Sequence, residues 1–274
     1  MTTFAVLGGT GKVGRRLTRI LAADRHDARP VSRSTPTPFD WHDESTWPDA
    51  VAGAEGVFIV GPGSATDWSP TLTRFLGVAD AAGVKRAVLL SARGVEFHPE
   101  GAVAAAESAL RAGPLEWTIL RPTHFAQNFT EAMFVPVGGR IVVPVGDAAH
   151  PFVDVEDLAE VAAVVLADGG FNGRILELSG PEAITFAAAA EELAGATGES
   201  AIFESESDEE HVAGLRAAGT PEGYVRWRMA MLNGIRSGAD AYTSDGITEV
   251  LGRPATSFHA WADREVVPCR PSPM

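Results

Sequence analysis

The chain has 274 residues, of which 45% are hydrophobic, and a formal net charge of -14. That is enough apolar material for one large core with a small attached subdomain, and so acidic a protein should repel the phosphates of nucleic acid. The sequence has no apolar stretch of the roughly 18 residues that cross a membrane and no secretory signal at its start, so we expect a cytoplasmic protein. It has a single cysteine, Cys269, so an intrachain disulfide is not expected.

The first predicted elements are a strand, a glycine-rich turn and a helix. The apolar run 3–7 leads into Gly8-Gly-Thr-Gly-Lys-Val-Gly14, and residues 15–23 then have helical spacing. Glycines let such a turn approach a pyrophosphate closely, and the free N–H groups of the helix start attract its negative charge. The turn therefore predicts a dinucleotide site, whose contacts here are Gly8, Thr10, Gly11, Lys12 and Val13.

Strands and helices alternate through the first two thirds of the chain. Further strands are predicted at 26–32, 39–41, 55–60, 86–91, 115–121 and 174–179, and helices at 66–82, 100–112 and 155–167. Asp154 is the predicted N-cap of the last of these helices, with Asp157 as its N3 partner. The alternation indicates an α/β fold with a Rossmann-type doubly wound parallel sheet.

Beyond residue 180 the pattern becomes helical. Helices are predicted at 185–197, 207–217 and 220–236. Ser207 and Glu210 fit a capping box for the second of them, and Thr220 is the predicted N-cap of the third. We expect residues 1–180 to form a dinucleotide-binding Rossmann domain and residues 181–274 a small, mainly helical substrate-capping subdomain, with segment 125–150 contributing to the pocket.

Longer segments of the sequence carry a family resemblance. They are Gly8-Gly-Thr-Gly-Lys-Val-Gly-Arg15, Leu89-Leu-Ser-Ala92, Trp117-Thr-Ile-Leu-Arg-Pro-Thr-His-Phe-Ala-Gln-Asn-Phe129 and Pro151-Phe-Val-Asp-Val-Glu-Asp-Leu-Ala159. With these segments the chain resembles the NmrA-like group of atypical short-chain dehydrogenases/reductases. Within that group it is similar to the ergot-alkaloid-type reductases, the festuclavine and agroclavine dehydrogenases, through Phe39-Asp-Trp-His-Asp-Glu-Ser-Thr-Trp47 and Ser179-Gly-Pro-Glu-Ala-Ile-Thr185. The resemblance implies NAD(P)H binding and, for the subgroup, reduction of an iminium or a related conjugated small molecule.

The residues after the second strand indicate which dinucleotide binds. An acid at this position binds the adenosine ribose of NAD, whereas arginine and hydroxyl side chains suit the extra phosphate of NADP. The chain has Ser32 and Arg33 here, which favours NADPH over NADH. Asp40 either lies near the adenine or caps the helix that begins near Glu44. The remaining predicted cofactor contacts follow later strands and are Gly61, Pro62, Ser91, Pro122 and Thr123.

The proton-donating pair of ordinary short-chain dehydrogenases, Tyr-x-x-x-Lys, is absent from its helix. Alignment puts Pro99 and Val103 in the two places. Hydride transfer to a ketone leaves an alkoxide that needs a proton, whereas transfer to an iminium carbon leaves a neutral amine. His124 is the predicted proton donor because imidazole titrates near neutral pH, and Ser91 is expected to hydrogen-bond substrate or nicotinamide.

The segment after the sixth predicted strand is the expected substrate site. A helix there would place Phe125 and Phe129 at i and i+4 as an apolar wall with Asn128 beside it, although both phenylalanines could instead be core residues. Phe152 is expected to face the pocket from its own strand. The sequence has no spacing of His, Cys, Asp and Glu that resembles a metal site.

These observations predict an NADPH-dependent oxidoreductase that transfers hydride to a small conjugated or iminium-type metabolite without a Tyr-Lys relay. Its partner would be a small-molecule substrate, not nucleic acid or a membrane. Two alternatives remain open: a non-catalytic NADP(H)-sensing regulatory protein of the NmrA type, and a non-redox enzyme, a cyclase or isomerase, on the same fold.

Overall fold

The computed structural model describes residues 2–63 and 65–265, and Cys269 lies outside these ranges. Its strands are β1 (Thr3–Leu7), β2 (Asp27–Val31), β3 (Gly56–Ile59), β4 (Arg86–Leu90), β5 (Glu116–Pro122), β6 (Arg140–Val142), β7 (Ala149–His150), β8 (Arg174–Leu178), β9 (Ile184–Thr185) and β10 (Ile202–Glu204). Its α-helices are α1 (Lys12–Ala23), α2 (Trp47–Val51), α3 (Ser69–Ala81), α4 (Ala102–Arg111), α5 (Asn128–Glu131), α6 (Val155–Ala167), α7 (Phe186–Thr197), α8 (Asp208–Ala217), α9 (Glu222–Arg236), α10 (Gly246–Leu251) and α11 (Phe258–Glu265).

Six parallel strands form the main sheet in the order β2-β1-β3-β4-β5-β8. Alternate residues of each strand point to opposite faces, so Ala5 and Leu7 pack beneath α2, α3 and α4 while Phe4 and Val6 pack beneath α1 and α6. Helices therefore cover both faces of the sheet, and the predicted Rossmann-type α/β fold is confirmed. The order reverses between β1 and β3, where open sheets of this kind bind ligands.

The predicted strand at 39–41 is wrong, because this segment is a loop. Its apolar residues Phe39 and Trp41 are buried against α3, and their burial produced the strand-like pattern in the sequence. One backbone hydrogen bond joins the loop to the residue after β2, from the N–H of Phe39 to the carbonyl oxygen of Ser32 at 3.0 Å, and the indole N–H of Trp47 donates to the carbonyl oxygen of Asp40 at 2.9 Å. Aromatic packing thus replaces a seventh strand of the main sheet.

Helix α6 begins as the sequence predicts, with one difference. Asp154 is its N-cap and accepts the N–H of Glu156 at 2.9 Å. Asp157 does not complete the cap. Its buried carboxylate accepts the N–H of Thr256 at 2.6 Å and a guanidinium N–H of Arg253 at 2.8 Å, which ties the C-terminal segment to the helix.

The helices beyond residue 180 have the predicted order. Ser207 and Glu210 form the capping box of α8. Helix α9 begins two residues later than expected: Pro221 occupies the N-cap position, no side chain caps the helix, and Thr220 lies outside it. Proline has no side-chain acceptor, so the cap predicted at Thr220 is wrong and the first N–H groups of α9 have no side-chain partner from the N-cap.

A third core joins segment 125–150 to the part of the chain beyond residue 180. Strand β6 pairs with β10 and β7 pairs with β9, and phenylalanine side chains from both parts pack together behind these strands. The predicted boundary at residue 180 remains a prediction. None of the described helices is long and apolar enough to cross a membrane, and the described residues contain no cluster of metal-ligating side chains.

Candidate functional site

The turn between β1 and α1 has the geometry of a phosphate-binding turn. Gly8 has a φ of 66°, and its carbonyl oxygen accepts the N–H of Gly11 at 2.8 Å. A Cβ at Gly14 would meet this same carbonyl oxygen, so the helix packs against the turn at a distance only glycine permits. Because Gly11 begins α1 without a side-chain cap, N–H groups at the helix start remain for an anion. The turn fits the pyrophosphate of a dinucleotide.

A cleft of about 430 Å³ lies between this turn and the ends of β2 and β3, and we call it the dinucleotide cleft. It is lined by Gly8, Thr10, Gly11, Ser32, Arg33, Ser34, Phe39, Asp40, Trp41, His42, Val60, Gly61 and Pro62. The predicted cofactor residues among these are Gly8, Thr10, Gly11, Ser32, Arg33, Asp40, Gly61 and Pro62. Sequence segments that are far apart in the chain thus meet at one edge of the sheet.

Hydroxyl groups and a guanidinium meet at the end of β2. The hydroxyl oxygens of Ser32 and Ser34 lie 3.2 Å apart, and the N–H of Ser32 donates to the hydroxyl of Thr35 at 2.7 Å. Arg33 is exposed at the rim of the cleft. Such a set can surround a phosphate with charge-assisted hydrogen bonds.

Asp40 does not cap the following helical turn. That cap is Asp43, whose carboxylate accepts the N–H of Ser45 at 3.1 Å. The carboxylate of Asp40 accepts the N–H of His42 at 3.0 Å and lines the cleft. Of its two predicted roles, only the one in the cleft agrees with the structure, and the contact with adenine stays a prediction.

A second cavity, of about 370 Å³, adjoins the dinucleotide cleft at Val60 and Gly61, and we call it the inner cavity. Its volume is typical of a small-molecule site, and most of its wall is apolar. It is lined by Lys12, Val60, Gly61, Gly63, Trp68, Leu89, Leu90, Ser91, Ala92, Arg93, Val103, Ala106, Pro122, Thr123, His124, Phe125, Asn128, Ala132, Met133, Trp227 and Met231.

The structure divides the remaining predicted residues into two sets. Those that line the inner cavity are Lys12, Ser91, Pro122, Thr123, His124, Phe125 and Asn128. Phe129, Phe152 and Val13 line neither cavity. The rings of Phe129 and Phe152 pack edge to face at 5.0 Å in the third core, and the side chain of Val13 packs beneath the sheet. The expected wall of Phe125 and Phe129 on one helix is wrong, because α5 starts only at Asn128.

The hydroxyl of Ser91 is oriented by a buried carboxylate on α4. Ser91 donates to Glu107 at 2.5 Å, and Glu107 also accepts two N–H groups of Arg121 at 2.9 and 2.6 Å. The carboxylate oxygens accept from both Arg121 and Ser91, so the Ser91 proton points at Glu107 and the hydroxyl lone pairs are left for a ligand. Ser91 can therefore accept a hydrogen bond from a ligand, but its O–H group already donates to Glu107.

His124 is neutral at physiological pH. Burial lowers the pKa of His124 to about 3, and the positive charges of Arg228 and Arg93 act in the same direction. Its ring packs edge to face against His150 at 5.1 Å, and its backbone N–H donates to His150 Nε2. The predicted role of His124 as an imidazolium proton donor does not agree with this environment.

Lys12 reaches the inner cavity from the first turn of α1. Its ammonium donates to Asn128 Oδ1 at 3.0 Å. Desolvation lowers the pKa of Lys12, Glu131 opposes this effect, and Arg15 and Arg16 add to it. Asn128 uses one of three ammonium N–H donors, which leaves two for ligands in the cavity or the cleft.

The cavity also contains residues that the sequence did not single out. Trp227 and Met231 lie at i and i+4 on α9 and close the cavity from the C-terminal part, a spacing that an amphipathic-face analysis of α9 could have detected. Arg93 follows β4 and is fully buried; it donates to Asp240 at 2.6 Å and stacks on the ring of Tyr242. Its partner lies in a distant loop, so no sequence pattern pointed to it.

No tyrosine is among the described residues of the cavity wall. The position aligned with the lysine of the usual pair is Val103, which lines the cavity with an apolar side chain. Tyr242 is engaged outside the cavity, where its hydroxyl donates to Glu177 at 2.9 Å. Tyr224 packs against Trp227 with ring centroids 5.5 Å apart.

Comparisons with known proteins agree with this geometry. Residues 8–169 match the model of a family described as NAD(P)H-binding. Festuclavine synthase II of Penicillium roqueforti is 31% identical over 96% of this chain and 98% of its own length. A (4-alkanoyl-5-oxo-2,5-dihydrofuran-3-yl)methyl phosphate reductase of Streptomyces griseus is 30% identical over 94% of this chain and 95% of its own length. An NADPH-dependent quinone oxidoreductase of Escherichia coli, solved with NADPH, has the same fold, with a TM-score of 0.77, 22% identity and coverage of 94% of this chain and 98% of that one.

Proposed function

The chain belongs to the NAD(P)H-binding family, as an NmrA-like atypical short-chain dehydrogenase/reductase, and from that premise we propose that it is an NADPH-dependent reductase of small, flat, uncharged conjugated acceptors. Relatives that match over nearly their whole length are named as oxidoreductases or reductases, so the predicted enzyme class and NAD(P)H cofactor are confirmed. The type of acceptor and the preference for NADPH over NADH are proposals.

The charged side chains of the inner cavity are the main support for proposing a neutral acceptor. Among the described lining residues the charged side chains are Lys12 and Arg93, both cations, and no carboxylate lines the wall. Arg93 is paired with Asp240, so a cationic iminium would be desolvated beside the ammonium of Lys12, which disfavours its binding. A neutral acceptor that becomes an oxyanion on hydride addition would instead gain attraction as the reaction proceeds. Of the two predicted acceptor types, the cavity supports the conjugated one.

The shape and polarity of the wall also suit a flat acceptor. The wall includes the aromatic side chains of Trp68, Trp227 and Phe125, and aromatic side chains favour contact with a planar molecule. The lone pairs of Ser91 remain available to accept a hydrogen bond from a substrate or from the nicotinamide carboxamide. The substrate named for the Streptomyces griseus relative is a conjugated lactone that carries a phosphate group, so its ring, but not its charge, is of the proposed type.

NADPH is the preferred cofactor in this proposal. Ser32 and Ser34 provide hydroxyl donors, and Arg33 a guanidinium, where the adenosine ribose should lie in the dinucleotide cleft. When bound, the cofactor supplies the hydride, and the protein supplies orientation and a cavity with little water. The extra phosphate of NADPH gives Arg33 a charge-assisted partner that NADH lacks.

The test is a panel of acceptors offered to purified protein, with oxidation of the nicotinamide followed by absorbance. We expect a naphthoquinone and a conjugated lactone to be reduced with a kcat/KM at least roughly tenfold above that of a cyclic iminium of similar size, and NADPH to exceed NADH by a similar factor. Arg33→Asp should remove most of the preference for NADPH. Faster reduction of the iminium would contradict the assigned acceptor class.

Two further outcomes would favour the alternatives. Binding of NADPH without oxidation by any acceptor, together with a protein partner whose affinity depends on the cofactor's redox state, would indicate a sensor. Conversion of a substrate that continues after the dinucleotide is removed would indicate a non-redox enzyme.

A further inference from the structure

Reduction of a conjugated carbonyl or quinone leaves an oxyanion, which requires a proton or a balancing charge. The groups predicted for this role are not available as acids in the structure. Burial lowers the pKa of His124, so its imidazole lacks the acidic second proton at neutral pH, and the hydroxyl of Ser91 donates its hydrogen bond to Glu107. The hydroxyl of Thr123, also in the wall, donates to the carbonyl oxygen of Pro151 at 2.6 Å. The donor must therefore be sought elsewhere in the wall.

Two cationic groups remain among the described lining residues. Arg93 is clamped by Asp240 and by the carbonyl oxygen of Tyr242, and a guanidinium does not release its proton near neutral pH. Lys12 differs in both respects: an ammonium can give up a proton, and its described hydrogen bond is to the neutral oxygen of Asn128. No carboxylate is within ion-pairing distance of its ammonium among the described residues.

We propose that the ammonium of Lys12, held by Asn128, is the proton donor to the oxygen of the reduced acceptor. The inference rests on the proposed reductase function and names the group that replaces the missing tyrosine. Hydride adds to the conjugated carbon, and the π electron pair moves to the carbonyl oxygen. An Nζ–H bond of Lys12 breaks as the O–H bond forms. The neutral amine then takes a proton from water, so each turnover consumes one hydride and one proton.

The surroundings of Lys12 are suited to this role. The charged groups near it are Arg15 and Arg16 on its own helix and Glu131 on α5, and the glutamate is occupied by Arg15 at 2.7 Å. Across the cavity lie the paired Arg93 and the neutral His124, neither of which offers Lys12 a counter-charge. An oxyanion formed in the cavity would supply that missing counter-charge.

The first test measures charge recognition without turnover. With NADP⁺ bound, para-nitrophenol is titrated against the protein, since its phenol and phenolate forms differ in absorbance. We expect the wild-type protein to bind phenolate at least roughly tenfold more tightly than the neutral phenol, and Lys12→Met to lose this preference. Lys12→Arg should retain it. The control is Lys85→Met, because Lys85 is the other lysine of the chain and lies exposed next to β4.

The second test measures proton transfer. Lys12→Arg should keep phenolate binding but lower kcat at least roughly tenfold, since a guanidinium supplies charge without a transferable proton. In the wild-type protein kcat should fall as pH rises through the pKa of Lys12. Asn128→Asp should move this fall to higher pH, because a carboxylate beside the ammonium stabilises its charged form. If Lys12 does not transfer the proton, the added carboxylate would leave the pH profile of kcat unchanged, and the assignment would fail.

The results separate the two proposals. If the wild-type protein reduces no acceptor, the proposed function fails. If it does reduce acceptors and Lys12→Met retains both kcat and the preference for phenolate, the assignment of Lys12 fails. The assignment also fails if Lys12→Met only weakens NADPH binding and leaves kcat at saturating cofactor unchanged, because Lys12 is then a cofactor ligand alone.

Discussion

The chemical role of a polar side chain in this protein depends on partners that lie far away in the sequence. The sequence placed Ser91 and His124 at strand ends, and both line the inner cavity. It could not show that Glu107 accepts the hydrogen bond of Ser91, or that burial leaves His124 neutral. The position of a candidate residue could be predicted from the strand pattern. Its protonation state could not, because that state depends on side chains that pack around it from elsewhere in the chain.

The neutral state of His124 gives a prediction about stability. The unfolded chain binds a proton on this imidazole near pH 6.5, but the folded protein does not until about pH 3, so folding is progressively opposed as pH falls through this window. Between about pH 6.5 and 5, this one group should remove roughly 1–2 kcal/mol from the free energy of unfolding. His124→Gln should flatten the loss, as measured by urea unfolding at each pH.

Two features of the measurement keep it specific to His124. His150 is also buried with a lowered pKa, so a smaller dependence on pH should persist in the variant. His42→Gln, at an exposed position, is the matched control and should retain the wild-type slope. An unchanged slope in His124→Gln would show that the imidazole is protonated in the folded protein.

At the scale of elements, the glycine pattern was a reliable signal and apolar runs were less so. The turn at Gly8 to Gly14 was predicted correctly because its conformation is encoded by the glycines themselves. The strand predicted at 39–41 was wrong because buried aromatic side chains give the same pattern in a loop as in a strand. The short strands β6, β7, β9 and β10 carry too few residues for a periodic pattern and were missed.

The glycine turn gives a prediction for the element that binds the dinucleotide. In Gly14→Ala the new methyl group would meet the carbonyl oxygen of Gly8, so α1 must move away from the turn. We expect a loss of about 1–3 kcal/mol in the free energy of unfolding and at least roughly tenfold weaker NADPH binding, measured by thermal unfolding and fluorescence titration.

The control for this change is another helical glycine. A Cβ at Gly214 in α8 would meet nothing within 4 Å, so Gly214→Ala should stabilise the protein slightly through helix propensity and leave NADPH affinity unchanged. Wild-type NADPH affinity in Gly14→Ala would mean that the turn does not contact the pyrophosphate.

For the whole molecule, the sequence predicted the layers of sheet and helices but not the long-range contacts between distant parts of the chain. The alternation of strands and helices was sufficient for the main sheet, because each βαβ unit is local. The pairing of β6 with β10 and of Arg93 with Asp240 joins residues far apart in the chain, and neither has a sequence signature. Arg93 lines the inner cavity, as do Trp227 and Met231 of α9, and the sequence singled out none of these three, so the dinucleotide cleft was predicted more completely.

The buried pair between Arg93 and Asp240 should hold the C-terminal part against the ends of the sheet. Besides their 2.6 Å ion pair, Arg93 donates to the carbonyl oxygens of Asp240 and Tyr242, each at 2.8 Å. Asp240→Asn leaves the guanidinium buried without its counter-charge, which should cost about 3–5 kcal/mol of unfolding free energy. It should also raise KM for the acceptor, because Arg93 lines the inner cavity.

A double-mutant cycle distinguishes this pairing from a general effect of disturbing a buried loop. If the cost of Asp240→Asn comes from the unpaired guanidinium, then Arg93→Met combined with Asp240→Asn should be more stable than Asp240→Asn alone, since no buried charge remains. Strictly additive losses would mean that each residue acts independently. Glu249→Gln, which breaks the exposed pair with Arg174, is the control and should change stability little, because water screens that pair. A recovered double variant would show that the loop containing Asp240 is held to the end of the sheet by charge compensation rather than by its shape.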